Sequence, residues 1–212
     1  MTPFPKEWYC PYGLVLPQPG YTPSDNGVLF TSVAKILGFD IGDYNRKVRS
    51  CYLKRGLVAR WPTNNYDQCA WDDYLGIAAA CIHTGERAIP REILWYGITH
   101  LFFFNSDDKF DKKDWLGRHV TVWALMWPAA FPILKWLFLP MLWLFQLWFT
   151  KPDMANTSGI QLQFVYLYAC RKLGFTFKRW YEHKQIIAAA FKIYYNKNHP
   201  FNTKEWENAD LR

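Results

Sequence analysis

Within fourteen residues the chain gathers Arg60, Tyr66, Asp67, Gln68, Trp71, Asp72 and Asp73. Paired carboxylates can serve as acid and base in cleaving a glycosidic bond, and aromatic rings stack on sugars. On that reading Asp72 or Asp73 is catalytic, Arg60 lies in the cleft, and Trp71 and Tyr66 hold carbohydrate. The residues have a plainer use as well. Asp67 is a good N-cap for a helix, and Asp72 and Asp73 then suit the positive end of its dipole. Neighbouring side chains on a helix point about 100° apart, so the two carboxylates do not converge on one atom unaided. The structural use is the stronger one, and the expectation leans away from an enzyme.

Other chemistry is poorly supported. His83, His100, His119, His183 and His199 are isolated, with no metal-ligand spacing. Cys10, Cys51, Cys69, Cys81 and Cys170 are odd in number and lack CxxC pairing, so neither a disulfide framework nor a zinc site is expected. Cys51, Cys81 and Cys170 fall on apolar stripes and read as buried thiols. There is no glycine-rich phosphate loop and no nucleophile elbow. Asp25-Asn26-Gly27 reads as a tight turn, with Gly27 supplying the positive φ, before it reads as a metal ligand. No cofactor is expected.

The positioning elements are helices, and the most apolar is Val120 to Phe149. Only Thr121, Pro128, Pro132, Lys135, Pro140 and Gln146 interrupt it. The run exceeds the roughly 20 residues that span a bilayer. Three prolines argue against one straight span, and a second helix is expected from Pro132 or Ile133 onward. Trp123, Trp127, Trp136, Trp143 and Trp148 are spread along the run, whereas a span concentrates Trp at its two interfaces. Lys135 and Gln146 fall about 20° apart on a helical wheel, with Thr121 and Pro128 near them. That predicts a helix buried on most sides and wet along one polar edge. These tryptophans and Lys135 are the expected contacts with a partner or a membrane.

The chain has 212 residues, half of them hydrophobic and 19% aromatic, with a net charge of +7. Its length suits one domain. So many large aromatics are hard to hide in a fold of this size, and some are expected at an interface. Residues 150–212 carry most of the surplus charge. The basic residues are dispersed, so a solvated helical face is expected there, with nucleic-acid contact not favoured. The N-terminus has no basic segment followed by an apolar stretch, as a secretory signal would have, so synthesis in a reducing cytoplasm is expected.

Along the chain, residues 1–27 read as an extended Pro- and aromatic-rich arm, with Trp8, Tyr9 and Tyr12 as its contacts. Residues 28–212 read as a helical domain. The first helix starts after Ser24 or Asp25 and ends at Gly38. The second runs from about Ile41 to Arg55 and closes at Gly56. The third is capped by Asp67 and ends at Gly85. The fourth carries Pro90 in its first turn and continues through Leu101. After the apolar helix 120–149 come basic helices over 157–195, with Asn202 and Glu205 as a capping box for a last turn. No strand pattern stands out. The fold class is all-α: a single-domain bundle of helical hairpins around a long, Trp-rich, Pro-kinked helix.

The segments DNGVLFTS (25–32), VARWPTNNYDQCAWDDYLGIAAAC (58–81), the Trp- and Pro-rich run and the late stretches SGIQLQFVYLYACRKLG and FKRWYEHK resemble a loose group of helical proteins encoded by tailed bacteriophages. Ala70-Trp71-Asp72-Asp73 departs from the group's more usual His-Asp-Asp. The resemblance implies a setting in a virion, with other virion proteins or copies of itself as partners, and brings no activity with it. The leading expectation is a non-enzymatic tail or ejected protein that is made in the host cytoplasm and meets the host membrane after ejection. The order of helical hairpins is also similar to α/α-toroid sugar enzymes, which implies a hydrolase or lyase using Asp72 and Asp73. A third expectation is a small membrane protein with one kinked span at 120–149.

Overall fold

The computed structural model describes residues 4–16, 27–63, 69–104, 120–148 and 157–175. Among them are seven α-helices and one two-stranded hairpin, so the fold is all-α in the main. The helices are α1 (Gly27–Ile36), α2 (Tyr44–Ser50), α3 (Trp71–Thr84), α4 (Ala88–Thr99), α5 (Val120–Ala130), α6 (Lys135–Trp148) and α7 (Thr157–Lys172). Strands β1 (Tyr52–Lys54) and β2 (Leu57–Val58) lie between α2 and α3.

The centre of the molecule is α3. Every residue from Asp72 to Cys81 is buried. Its small residues Gly76, Ala78, Ala79 and Ala80 let α1, α5 and α7 pack closely around it. A Cβ on Gly76 would stand 3.0 Å from Leu29 Cδ1 and 3.2 Å from the Ser32 Cβ, so α1 sits nearly backbone to backbone there. Leu29 faces Asp73 and Ser32 faces Gly76, so α1 and α3 run in the same direction. Two parallel helices cannot be joined by a tight turn. The connection passes through α2 and the hairpin.

Tyrosine hydroxyls tie the outer elements to this pair. Tyr74 accepts from the Val58 amide at 2.8 Å and donates to the Val58 carbonyl at 3.1 Å, fixing the hairpin on α3. Tyr44 shares a 2.8 Å bond with Ser32, fixing α2 on α1. Tyr168 bonds His83, joining α7 to α3, and Tyr166 donates to the Leu142 carbonyl of α6. A buried hydroxyl needs a partner, and each of these finds one across an element boundary.

Residues 4–16 lie on the chain's own body. A 3-10 turn (Lys6–Trp8) leads into a reversal in which the Cys10 amide bonds the Leu14 carbonyl at 2.9 Å. Phe4, Trp8, Leu14, Val15 and Leu16 are buried. The Val15 amide donates to Thr31 Oγ1 at 2.9 Å, anchoring the segment to α1. Of the expected arm contacts, Trp8 is buried, Tyr9 half-buried beneath the Lys47 ammonium, and Tyr12 exposed.

Several expectations need correction. The apolar run is two helices and a 3-10 turn (Pro132–Leu134), and it flanks the centre of the molecule. Phe131 leaves the helical conformation, with φ of −136° and ψ of 85°, because the following Pro132 disfavours it. That break interrupts the wet edge expected through Thr121, Pro128 and Lys135, since Pro128 is buried and Lys135 half-buried; the Gln146 side chain lies outside the described ones. The second helix stops at Ser50, and Gly56 is the turn of a hairpin. Its φ is +86°, and a Cβ there would stand 2.2 Å from the Glu92 carbonyl oxygen. The third helix starts after Ala70, which offers no side-chain cap, and not after Asp67. Gly27 is the first residue of α1, pressed between Leu14 and the Arg60 carbonyl, each 3.1 Å from a would-be Cβ; close approach, not positive φ, requires glycine there. Leu101 lies beyond α4, exposed, with φ of +51°.

Ser24, Asp25, Asn26, Tyr66, Asp67, Gln68, His119 and everything expected beyond 175, including the rest of the basic helices and the Asn202–Glu205 box, lie outside the described residues.

Candidate functional site

The acidic pair is built into the helix scaffold. Asp73 stands in the first turn of α3, fully buried. One oxygen, Oδ1, accepts the Leu29 amide of α1 at 2.8 Å. Because α1 and α3 are parallel, their positive ends meet at this carboxyl, which caps the neighbouring helix α1 from the first turn of α3. The other oxygen, Oδ2, is buried with no hydrogen-bond partner among the described residues. Asp72 Oδ1 accepts the Asp73 amide at 3.1 Å. Burial and the adjacent Asp72 charge push the Asp73 carboxyl well above the ordinary range, against the pull of Arg60 and the Leu29 amide. Arg60 is half-buried, and its carbonyl accepts the Val28 amide at 3.2 Å. Trp71 is half-buried at the helix start. The structure therefore brings Arg60, Trp71, Asp72 and Asp73 together, but around two helix ends.

A cleft lies elsewhere, between the hairpin turn, α4 and the end of α5. Its volume is about 830 Å³, within the range of small-molecule sites. Helix α4 shapes it. Ile89, Ile93, Leu94 and Gly97 face the core, so Arg91, Trp95 and Ile98 point outward into the cleft. Trp127 and Phe131 form the opposing wall. The Arg91 guanidinium lies over the Phe131 ring at 5.1 Å, and its Nε donates to the Ala130 carbonyl at 3.2 Å. No described residue accepts from its terminal nitrogens. Glu92 is occupied: it accepts from Tyr52 at 2.9 Å and Arg55 at 3.1 Å, with Arg49 at 3.6 Å. The hydrogen bond and the Glu92 charge add to burial in raising the Tyr52 hydroxyl.

The apolar wall continues onto α6. Trp127 stacks on Phe138, centroids 6.0 Å apart. Beyond it, Pro132, Ile133, Trp136, Leu137, Pro140 and Leu144 form one exposed row at helical spacing. Ile133 is 84% exposed, Leu137 72% and Trp136 67%. A helix apolar on its outer face normally has something against that face. Lys135 keeps its ammonium over the Trp136 ring, 4.9 Å from the centroid.

Of the expected contact residues, Trp136 and Trp127 belong to this face. Trp123 does not. It is buried, edge-on to Phe102 at 4.7 Å and 5.2 Å from Phe104, within the aromatic core formed with Tyr74 and Tyr96. Trp143 and Trp148 lie on α6, but their side chains are outside the described ones. Sequence reasoning missed Arg91 and Trp95. The signal was present: both fall opposite the Ile89, Ile93 and Gly97 stripe of α4.

Among the described residues no helix is long and apolar enough to cross a membrane, and no group of three or more His, Cys, Asp or Glu is placed to hold a metal ion. Compared with known proteins, the chain matches no family model, no curated protein and no solved structure.

Proposed function

We propose that this chain is a non-enzymatic structural component of a tailed-phage particle, tail-associated or internal, whose work is done by the apolar face of α5 and α6. The single observation that carries the mode of action is the exposed row Ile133, Trp136, Leu137 and Leu144. The likeness of its segments to helical phage proteins supports the setting. In this reading the helical hairpins form a compact support, the folded-back N-terminal segment stiffens it, and the row meets a second surface. The acidic pair supports the same reading, because one oxygen of each carboxyl accepts a backbone amide at a helix end.

The test is a double substitution, Trp136→Ser with Leu137→Ser. Both side chains are exposed, so stability should change by only about 0.5 kcal/mol. The wild type should elute without detergent as a defined oligomer or require a particle protein or amphiphile to stay dispersed. The variant should run as a monomer. A wild-type chain that is a dispersed monomer unaffected by the substitutions, and missing from mature particles by mass spectrometry, would overturn the reading.

A further inference from the structure

We propose that the cleft and the α6 row together dock on an anionic lipid leaflet, with Arg91 holding a lipid phosphate and the row entering the headgroup–acyl boundary. This rests on the reading of the row as the working surface and names what it meets.

Three observations select lipid. The first is charge. The cleft lining carries Lys54, Arg55 and Arg91 against one carboxylate, Glu92, which Arg49, Arg55 and Tyr52 already engage. The exposed row itself carries no acid. Such a face suits a partner that is anionic and apolar at once.

The second is adjacency. A leaflet presents phosphates outermost and acyl chains beneath. Here the Arg91 guanidinium lies on the Phe131 ring with its terminal nitrogens turned to no described acceptor. One residue on, the apolar row begins with Pro132 and Ile133. Trp95 and Trp136, exposed among the described tryptophans of this face, are residues that settle at membrane interfaces, and Lys135 keeps its charge over the Trp136 ring.

The third is length. Over the described residues α6 has 14 residues, short of a bilayer span and long enough to lay its exposed row along a leaflet surface. The cleft volume of about 830 Å³ accommodates one headgroup with the start of its chains.

The experiment is flotation of the full chain with vesicles of phosphatidylcholine alone and of phosphatidylcholine mixed with phosphatidylglycerol, with Trp emission recorded in parallel. Binding to the mixed vesicles, a blue shift of emission, and loss of binding at high salt are expected. Arg91→Gln should weaken partitioning about five-fold, and Arg91→Lys should restore part of it. Trp136→Ser with Leu137→Ser should weaken it tenfold or more. Circular dichroism confirms that each variant folds. Equal binding to both vesicle types, unmoved by Arg91→Gln, would overturn the phosphate site while leaving the row as the working surface. No vesicle binding, with an oligomer that the double substitution dissociates, would overturn the lipid partner in favour of a second copy. No vesicle binding and no oligomer would overturn both readings.

Discussion

Asp73 shows how one side chain can hold two helices and take on a pH dependence in doing so. Its folded-state pKa is raised, chiefly by burial and then by Asp72. The folded chain therefore keeps a proton that the unfolded chain gives up above about pH 4. The stability this group contributes is complete below that pH and declines as pH rises toward the folded-state pKa. Asp73→Asn retains an acceptor for the Leu29 amide and removes the ionisation. Urea unfolding at pH 5 and pH 8 should show the variant gaining on the wild type at the higher pH. An identical pH slope in both proteins would mean that Asp73 ionises in the fold as readily as in the open chain. His83 has the opposite sign: burial, with Lys172 and Lys35, lowers its pKa, so its contribution is present above about pH 6.5 and lost on acidification. It is common to both proteins and cancels in the comparison.

Among the elements, the hairpin is where substitution should cost most for the smallest change in volume. Gly56 has φ of +86° and sits under the Glu92 carbonyl. Gly56→Ala forces a left-handed conformation on an L-residue and a clash with α4 backbone. We expect a loss of at least about 2 kcal/mol, or about 4–8 °C in Tm for a chain of this size, measured by thermal unfolding. The same glycine marks where the sequence was hard to read. Tyr52, Leu53, Leu57 and Val58 are four apolar residues split by Lys54-Arg55-Gly56, and a glycine after a helical stripe looks the same whether it ends a helix or turns a hairpin. Helices with local punctuation were legible: Gly85 ends α3 with φ of +76°, and Gly174 follows α7 with φ of +94°. The break at Pro132 was legible because proline acts on its immediate neighbour. The central place of α3 was not. Its Gly76 and Ala78–Ala80 look unremarkable beside the Trp-rich run, yet small side chains are what let three helices crowd around one. At the site, Asp72 and Asp73 were legible as helix-start residues, but the α1 amide that Asp73 serves lies 44 residues away. The cleft was missed for a similar reason, since its two walls come from α4 and the end of α5.

For the molecule as a whole, the thiols report how tightly the body closes. Cys10, Cys51, Cys81 and Cys170 are buried, and Cys69 is half-exposed. Burial pushes Cys51 and Cys170 up to about 12, and Cys81 beyond that. A thiol reagent at pH 8 should label Cys69 first and reach the others only as the fold opens, with all five reacting at once in urea. Rapid labelling of two or more in native buffer would mean a looser core than the packing around α3 implies. The closure has a consequence in time. Since the Leu29 amide of α1 is held by the Asp73 carboxyl of α3, that amide lacks its acceptor until the intervening chain has crossed from one helix to the other. The Leu29 amide should then be among the last to gain protection from solvent exchange during refolding, appearing together with the amides of α3 and not with those of its own helix.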